Sequence, residues 1–212
     1  MADTVLFDLD GTLIDSIELI RRSYDHTLRV HLGRAMDERE WLSGLGRPLV
    51  WQFAQFTGDP REVEAMIATY RAWNLANHDV LVRPYPGVTE AVRALHARGV
   101  ALAIVTSKAN ASARRGLAHC GLDGAFDVVI GVDDVTEHKP HPRPVLAALE
   151  RLGRAASTAV MVGDSPHDLA AGRAAGTRTA AVAWGPFEHA ELRASDPDHW
   201  IETPSELERL FD

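Results

Sequence analysis

The chain opens on an unbroken apolar run: Val5, Leu6 and Phe7, led by Thr4, stop abruptly at Asp8. A short continuous run of this kind predicts a strand buried on both faces. The period then changes. Ile17, Ile20, Tyr24, Leu28 and Leu32 recur every three or four residues, as do Val63, Met66, Ile67, Tyr70 and Trp73. That spacing puts each set on one face of a helix, and no convincing strand interrupts the segment as far as Asn77.

Past the punctuation Arg83-Pro84-Tyr85-Pro86-Gly87, helix and strand alternate. Helices over 88–98, 109–119, 142–152 and 166–175 lead into strands over 100–105, 126–130, 158–162 and 177–182. These strands are continuously apolar rather than alternating, as a parallel sheet covered on both faces requires. The expected architecture is α/β. A Rossmann-like parallel-sheet core spans 1–13 and 84–212, and a small all-helical cap over 14–83 is inserted after the first strand. An insert at that point would hang over the end of the sheet where ligands bind.

Composition narrows the partners. With 212 residues, 46% of them hydrophobic, the chain can bury a real core. Its formal net charge of -8, from 30 acidic against 22 basic side chains, argues against nucleic acid or an anionic membrane as partner. A small anionic substrate stays open, because a few local cations can dominate a cleft. The single cysteine, Cys120, permits no disulfide within the chain. The start of the sequence lacks a basic region followed by a long apolar run, and no stretch reaches membrane-spanning length. These features predict a cytoplasmic protein. The state expected is a monomer or a homodimer.

Polar signals converge at the carboxyl ends of four predicted strands. They are Asp8-Leu9-Asp10-Gly11-Thr12, Thr106-Ser107, Lys139-Pro140, and Gly163-Asp164-Ser165 with Asp168. The crevice outside those ends is where open parallel sheets bind ligands. Asp8 and Asp10 would point to opposite faces of a simple strand, so the strand must end between them, with Gly11 permitting the turn. Asp8, Asp10 and Asp164 would repel one another without a cation, and a hard divalent ion such as Mg²⁺ suits few carboxylates plus substrate oxygens. Lys139 adds positive charge, while Thr106 adds a hydroxyl beside a strand-to-helix turn that favours anions. Such a set suits phosphoryl transfer, with one aspartate as nucleophile and another as general acid and base.

The four motifs, in this order and spacing, resemble those of the haloacid dehalogenase superfamily, over nearly the whole chain. The helical insert is similar to the cap of the phosphoglycolate phosphatase-like branch. The resemblance implies roles. Asp8 would be nucleophile and metal ligand; Asp10 would be general acid and base, binding the metal through its backbone carbonyl. Thr106, with Ser107, would hold the transferring phosphoryl group, and Lys139 would neutralise its charge. Asp164 would ligate Mg²⁺, with Asp168 supporting it from behind. Asp10 also separates phosphatases from the dehalogenases, which lack a carboxylate there. The implied activity is Mg²⁺-dependent hydrolysis of a small phosphorylated metabolite, a phosphoglycolate-like phosphomonoester, through a phosphoaspartyl intermediate. Asn77-His78-Asp79 through Tyr85-Pro86-Gly87, Val132-Asp133-Asp134-Val135 and the run Gly163 to Asp168 also resemble pyrophosphatases of this branch, so inorganic pyrophosphate is an alternative. A sugar-phosphate mutase would share every motif.

Plainer readings exist for each signal. Asp-x-Asp alone marks a turn, Lys139-Pro140 alone a surface lysine before a helix, and Ser165 with Asp168 an ordinary helix start. Gly44-Leu45-Gly46-Arg47-Pro48 reads as a loop between helices; its functional reading is a specificity loop whose Arg47 meets a second anionic group. Trp41, Trp51, Phe53 and Phe56 read as the cap core. His138 and His141 flank Lys139 too closely to make a persuasive metal site. A receiver-type signalling domain uses similar groups in another order, and no Gly-x-Gly-x-x-Gly follows any strand. A catalytically dead module would not keep every reactive position filled.

Overall fold

The computed structural model describes residues 3–211, with the side chains of Glu38, Arg39 and Ser43 left aside. In chain order the elements are β1 (Thr4–Phe7), β2 (Ile14–Asp15), α1 (Ile17–Leu32), α2 (Glu38–Gly44), α3 (Leu49–Phe53), α4 (Pro60–Leu81), β3 (Arg83–Pro84) and α5 (Val88–Ala97). There follow β4 (Ala101–Val105), α6 (Asn110–His119), β5 (Val128–Ile130), α7 (Arg143–Leu152), β6 (Ala159–Gly163), α8 (Pro166–Ala174), β7 (Arg178–Val182), α9 (His189–Ala194) and β8 (His199–Ile201). The chain divides into two compact units, Met1–Asp15 with Arg83–Asp212, and Ser16–Val82.

In the first unit six parallel strands lie in the order β5-β4-β1-β6-β7-β8. The chain builds outward from β1 through β4 to β5, then returns to lay β6, β7 and β8 on the other side. Strand order therefore reverses beside β1, the place where such sheets form a crevice at their carboxyl ends. The apolar runs fill the interior. Val5, Leu6 and Phe7 have no exposed surface, and neither do Ile104, Val105, Val160, Met161 and Val162. Val145, Ala148 and Leu149 of α7 close one side against Leu6, Val105, Ile130 and Met161. Each such aliphatic side chain contributes about 1.5–3 kcal/mol by leaving water.

The predicted strand over 126–130 begins at Val128, because Asp123–Ala125 forms a 3₁₀ turn and Phe126 is its exit. The edge strand β8 is absent from the sequence reading. It is three residues long and half-buried at His199 and Trp200, so it carries no apolar run. A two-stranded antiparallel ribbon also goes unpredicted: Ile14 pairs with Pro84 and Asp15 with Arg83. Two residues per strand are too few for a period to show.

The second unit is wholly helical among its described residues. Tyr24, Phe53 and Tyr70 meet at its centre, with ring centroids 5.1, 5.2 and 6.0 Å apart. Leu28, Val63 and Met66 are buried with them. α4 starts on an Asp59 cap whose carboxylate accepts the Arg61 N–H at 2.9 Å, with Pro60 in the first turn. Leu32 closes α1 at 36% exposure, because the helix stops there at Gly33. One expectation is corrected here. Trp51 is exposed rather than core, while Trp41 and Phe53 are buried; its indole instead carries the Arg47 guanidinium 4.9 Å from its centroid. No helix among the described residues is long and apolar enough to cross a membrane.

Because Leu6 sits fully buried at the centre of the sheet, Leu6→Ala should cost about 2–5 kcal/mol in urea unfolding. A loss under about 1 kcal/mol, within the range of a surface change, would contradict this packing.

Candidate active site

Register alone brings the predicted residues together. Phe7 lies level with Ile104 on one side and Val162 on the other. Asp8 is therefore level with Val105 and Gly163, and Thr106 and Asp164 each lie one residue further along. The Asp8 N–H continues the ladder to the Val162 carbonyl at 2.9 Å, and the Thr106 N–H does so to Ile130 at 2.9 Å. Lys139, from the loop between β5 and α7, reaches back over the same end. The Lys139–Pro140 peptide is cis.

Lys139 is the hub. Its ammonium donates to the Val105 carbonyl at 3.0 Å and to Asp168 Oδ1 at 2.5 Å. It also stands 2.9 Å from Asp8 Oδ1, too obliquely for a hydrogen bond, so that buried oxygen accepts no aligned donor among the described residues. The sequence reading set Asp168 behind Asp164. Its hydrogen bonds go elsewhere, to Lys139 and to Ser165, whose N–H and hydroxyl meet Asp168 Oδ2 at 3.1 and 2.6 Å. Ser165 in turn caps α8, its hydroxyl oxygen accepting the Asp168 N–H. The cap and the site share the same atoms.

Asp8, Asp164 and Asp168 are all buried, and one carboxylate oxygen from each lies within 4.8 Å of the others. Burial pushes the Asp8 carboxyl up to about 7, against the pull of Lys139 and with the push of Asp168 and Asp10. Burial likewise raises Asp164 well above the carboxylate range, and the charges of Asp168 and Asp8 add to it. For Lys139, burial would favour the neutral amine, but Asp168 and Asp8 outweigh it and hold the ammonium above the usual lysine range. At an effective dielectric of 20, a like-charge pair at this spacing costs on the order of 3 kcal/mol. Ionised together, three carboxylates facing one ammonium would leave two negative charges uncompensated. An all-oxygen donor set short of two positive charges, with a buried oxygen lacking an aligned donor, fits a hard divalent cation.

The other predicted residues are placed as follows. Asp10 follows Asp8 into the turn, where Gly11 adopts a φ of 83°. A side chain on Gly11 would meet Asp164 Oδ2 at 2.5 Å, so glycine is needed twice over. Thr106 is buried at the end of β4, and Ser107 is half-buried beside it. Arg47 belongs to the other unit, where it is half-buried against Trp51 and its carbonyl accepts the Gln52 side chain at 2.5 Å.

Four contributors had no role in the sequence reading. Thr12 donates its hydroxyl to Asp164 Oδ1 at 2.8 Å. Trp184 anchors the loop after β7 by donating its indole N–H to the Thr12 carbonyl at 2.9 Å. Gly185 beside it passes so close that a Cβ would lie 2.3 Å from Asp164 Cβ. Lys108 pairs with Asp10 at 2.7 Å. Thr12 stood in the first motif without a role of its own, and Lys108 follows Ser107 directly, so its polarity at a strand end was an available signal. Trp184 and Gly185 offered none.

The chain belongs to the haloacid dehalogenase-like hydrolases, whose family model matches residues 5–182. It is 42% identical over 205 residues to the pyrophosphatase PpaX of Halalkalibacterium halodurans, covering 97% of this chain and 94% of that one. A pyrophosphatase PpaX of Bacillus cereus is 43% identical over the same shares. Among solved structures, a haloacid dehalogenase-like family hydrolase of Streptococcus pneumoniae superposes with a TM-score of 0.86 at 25% identity, covering 100% of this chain and 99% of that one.

The raised carboxyls make a prediction about the metal-free protein. A carboxyl whose folded pKa lies above its unfolded value costs nothing at low pH, and its penalty accrues as pH climbs through the folded value. At pH 8 in chelator, Asp164→Asn should therefore be more stable than wild type, by about 1–3 kcal/mol in urea unfolding. The Thr12 hydroxyl still finds an oxygen acceptor in that variant. A less stable variant would contradict the repulsion described here.

Proposed function

We propose that this protein is a Mg²⁺-dependent phosphohydrolase working through a phosphoaspartyl intermediate on Asp8, with inorganic pyrophosphate as its substrate. One observation supports the chemistry above all: the ends of β1, β4 and β6 and the loop after β5 bring Asp8, Thr106, Asp164 and Lys139 to one crevice, where the buried carboxylates outnumber the ammonium. Asp8, Asp10 through its carbonyl, and Asp164 would hold Mg²⁺. When bound, the ion supplies charge neutralisation at the phosphoryl oxygens.

The residues would divide the work as follows. An Asp8 carboxylate oxygen attacks phosphorus, and the bond from phosphorus to the leaving oxygen breaks. Asp10 gives its proton to that oxygen. Thr106 donates its hydroxyl to the transferring group. Lys139, pinned by Asp168 and Val105, holds Asp8 in place and offsets its charge. Water then attacks the phosphorus of the aspartyl phosphate, Asp10 takes the water's proton, and the bond to Asp8 breaks to release phosphate. Splitting the displacement into two steps is the gain of covalent catalysis.

The choice of pyrophosphate over a phosphoglycolate-like phosphomonoester rests on likeness. Two relatives more than 40% identical over almost the whole chain bear the name pyrophosphatase. A panel of pyrophosphate, phosphoglycolate and glucose 6-phosphate, assayed for phosphate release with Mg²⁺, tests both parts. Pyrophosphate should give the highest kcat/KM. Chelator should abolish turnover, and Asp8→Asn should lower it by about a thousandfold or more without unfolding the protein. Normal rates in Asp8→Asn, or in metal-free buffer, would end the proposal. A preference for phosphoglycolate would end only the substrate assignment.

A further inference from the structure

Lys108 touches two groups of the proposed machinery without having a motif position of its own. Its ammonium donates to Asp10 Oδ1 at 2.7 Å, and its backbone N–H donates to Thr106 Oγ1 at 3.2 Å. The first contact ties the turn after β1 to the turn after β4, across 98 positions of sequence. It is no surface ion pair: the two side chains are only 12% and 17% exposed, so water and salt screen it less than an exposed pair. The second contact takes up the Thr106 oxygen as acceptor, which leaves the hydroxyl hydrogen to donate to an anion.

The platform beneath Lys108 is braced. The Lys108 carbonyl accepts the Val132 N–H at 3.0 Å. Two residues on, the Asn110 N–H meets Asp133 Oδ1 at 2.8 Å, and the Asn110 side chain donates to the Val129 carbonyl and to Asp134 Oδ2 at 3.0 and 2.8 Å. Arg151 holds the other oxygen of Asp134 at 2.9 Å. The main chain of Lys108 is thus locked onto the end of β5, and what its four-carbon stem can reach is set by that lock. Lys139 acts elsewhere, lying at 2% exposure among Val105, Asp168 and Asp8, and does not hold Asp10.

We infer that Lys108 is a positioning residue that aims the Asp10 carboxyl for proton transfer, an inference that rests on the phosphohydrolase reading above. A carboxyl on a turn can rotate about two side-chain bonds, and proton transfer needs it within hydrogen-bond reach of the oxygen that leaves and of the water that enters. The ammonium on Oδ1 fixes that rotation. The Lys108 side chain then acts through Asp10, which sets it apart from a side chain that supports the fold.

A double-mutant cycle separates the two. It uses whichever of pyrophosphate, phosphoglycolate or glucose 6-phosphate the wild type turns over fastest, with Mg²⁺ present. Lys108→Met should lower kcat/KM by about 30- to 100-fold, within the range of general acid–base catalysis. Lys108→Arg should recover all but about tenfold of the wild-type value by restoring a cation. In an Asp10→Asn background, Lys108→Met should cost less than about threefold, because the group it aims has already lost its function. Falls of similar size in both backgrounds would overturn the inference, as would a loss under threefold in the single variant. Lys108→Gln takes the place of a methionine variant that does not fold. Asp8→Asn run alongside keeps the two ideas apart: turnover retained there sinks the covalent reading, whereas additive losses with an inactive Asp8→Asn sink the role of Lys108 alone.

Discussion

Three buried carboxylates share one ammonium at the centre of this protein, and the rest of the structure accommodates their repulsion. Asp8, Asp164 and Asp168 approach within 4.8 Å of one another although no water-rich surface screens them. Folding alone would not select this cluster, since buried like charges destabilise and a packed apolar set would serve a core better. The arrangement persists because apolar burial elsewhere outweighs it. Strands β1, β4 and β6 are apolar and buried from Val5, Leu102 and Ala159 up to the residue where each polar motif starts.

That division of labour explains how the site is held. The charged groups stand at strand ends, in the first turn of α8 and on the loop after β5, and each is fixed by a neighbour. Asp168 is locked by the α8 cap, Asp164 by Thr12, and Asp10 by Lys108. Gly11 and Gly185 let main chain pass where any side chain would strike Asp164. An electrostatic site gains from such preorganisation, since its dipoles and charges need not move when charge develops during reaction. The cost is paid in advance by the fold.

Much of this was legible from residue order. The apolar runs placed the strands, the abrupt stop at Asp8 placed the crevice, and the alternation after Pro86 placed a parallel sheet. In the second unit, α1 and α4 followed from the spacing of Tyr24, Leu28, Val63, Met66 and Tyr70. What escaped has physical reasons. β8 and the Ile14–Pro84 ribbon are too short for a period. Trp51 is aromatic at helical spacing, yet a cation stacked on its ring lets it remain at the surface. The partner of Asp168 depends on which way a capping side chain turns, and that is settled by Lys139 from a distant loop. Lys108 stood beside a motif, but its partner Asp10 lies across the fold, and Gly185 matters only through such a contact, which no local pattern records.

The carboxylate that ends the first strand is central to all of this. Its most direct test is to quench the protein during turnover, reduce it with borohydride, which converts an aspartyl phosphate to homoserine, and read the peptides by mass spectrometry. Asp10→Asn, slowed in the step that activates water, should let the intermediate accumulate. Reduction at Asp8, dependent on substrate, is the result predicted. Turnover with Asp8 unreduced in every peptide would contradict the covalent role assigned to it.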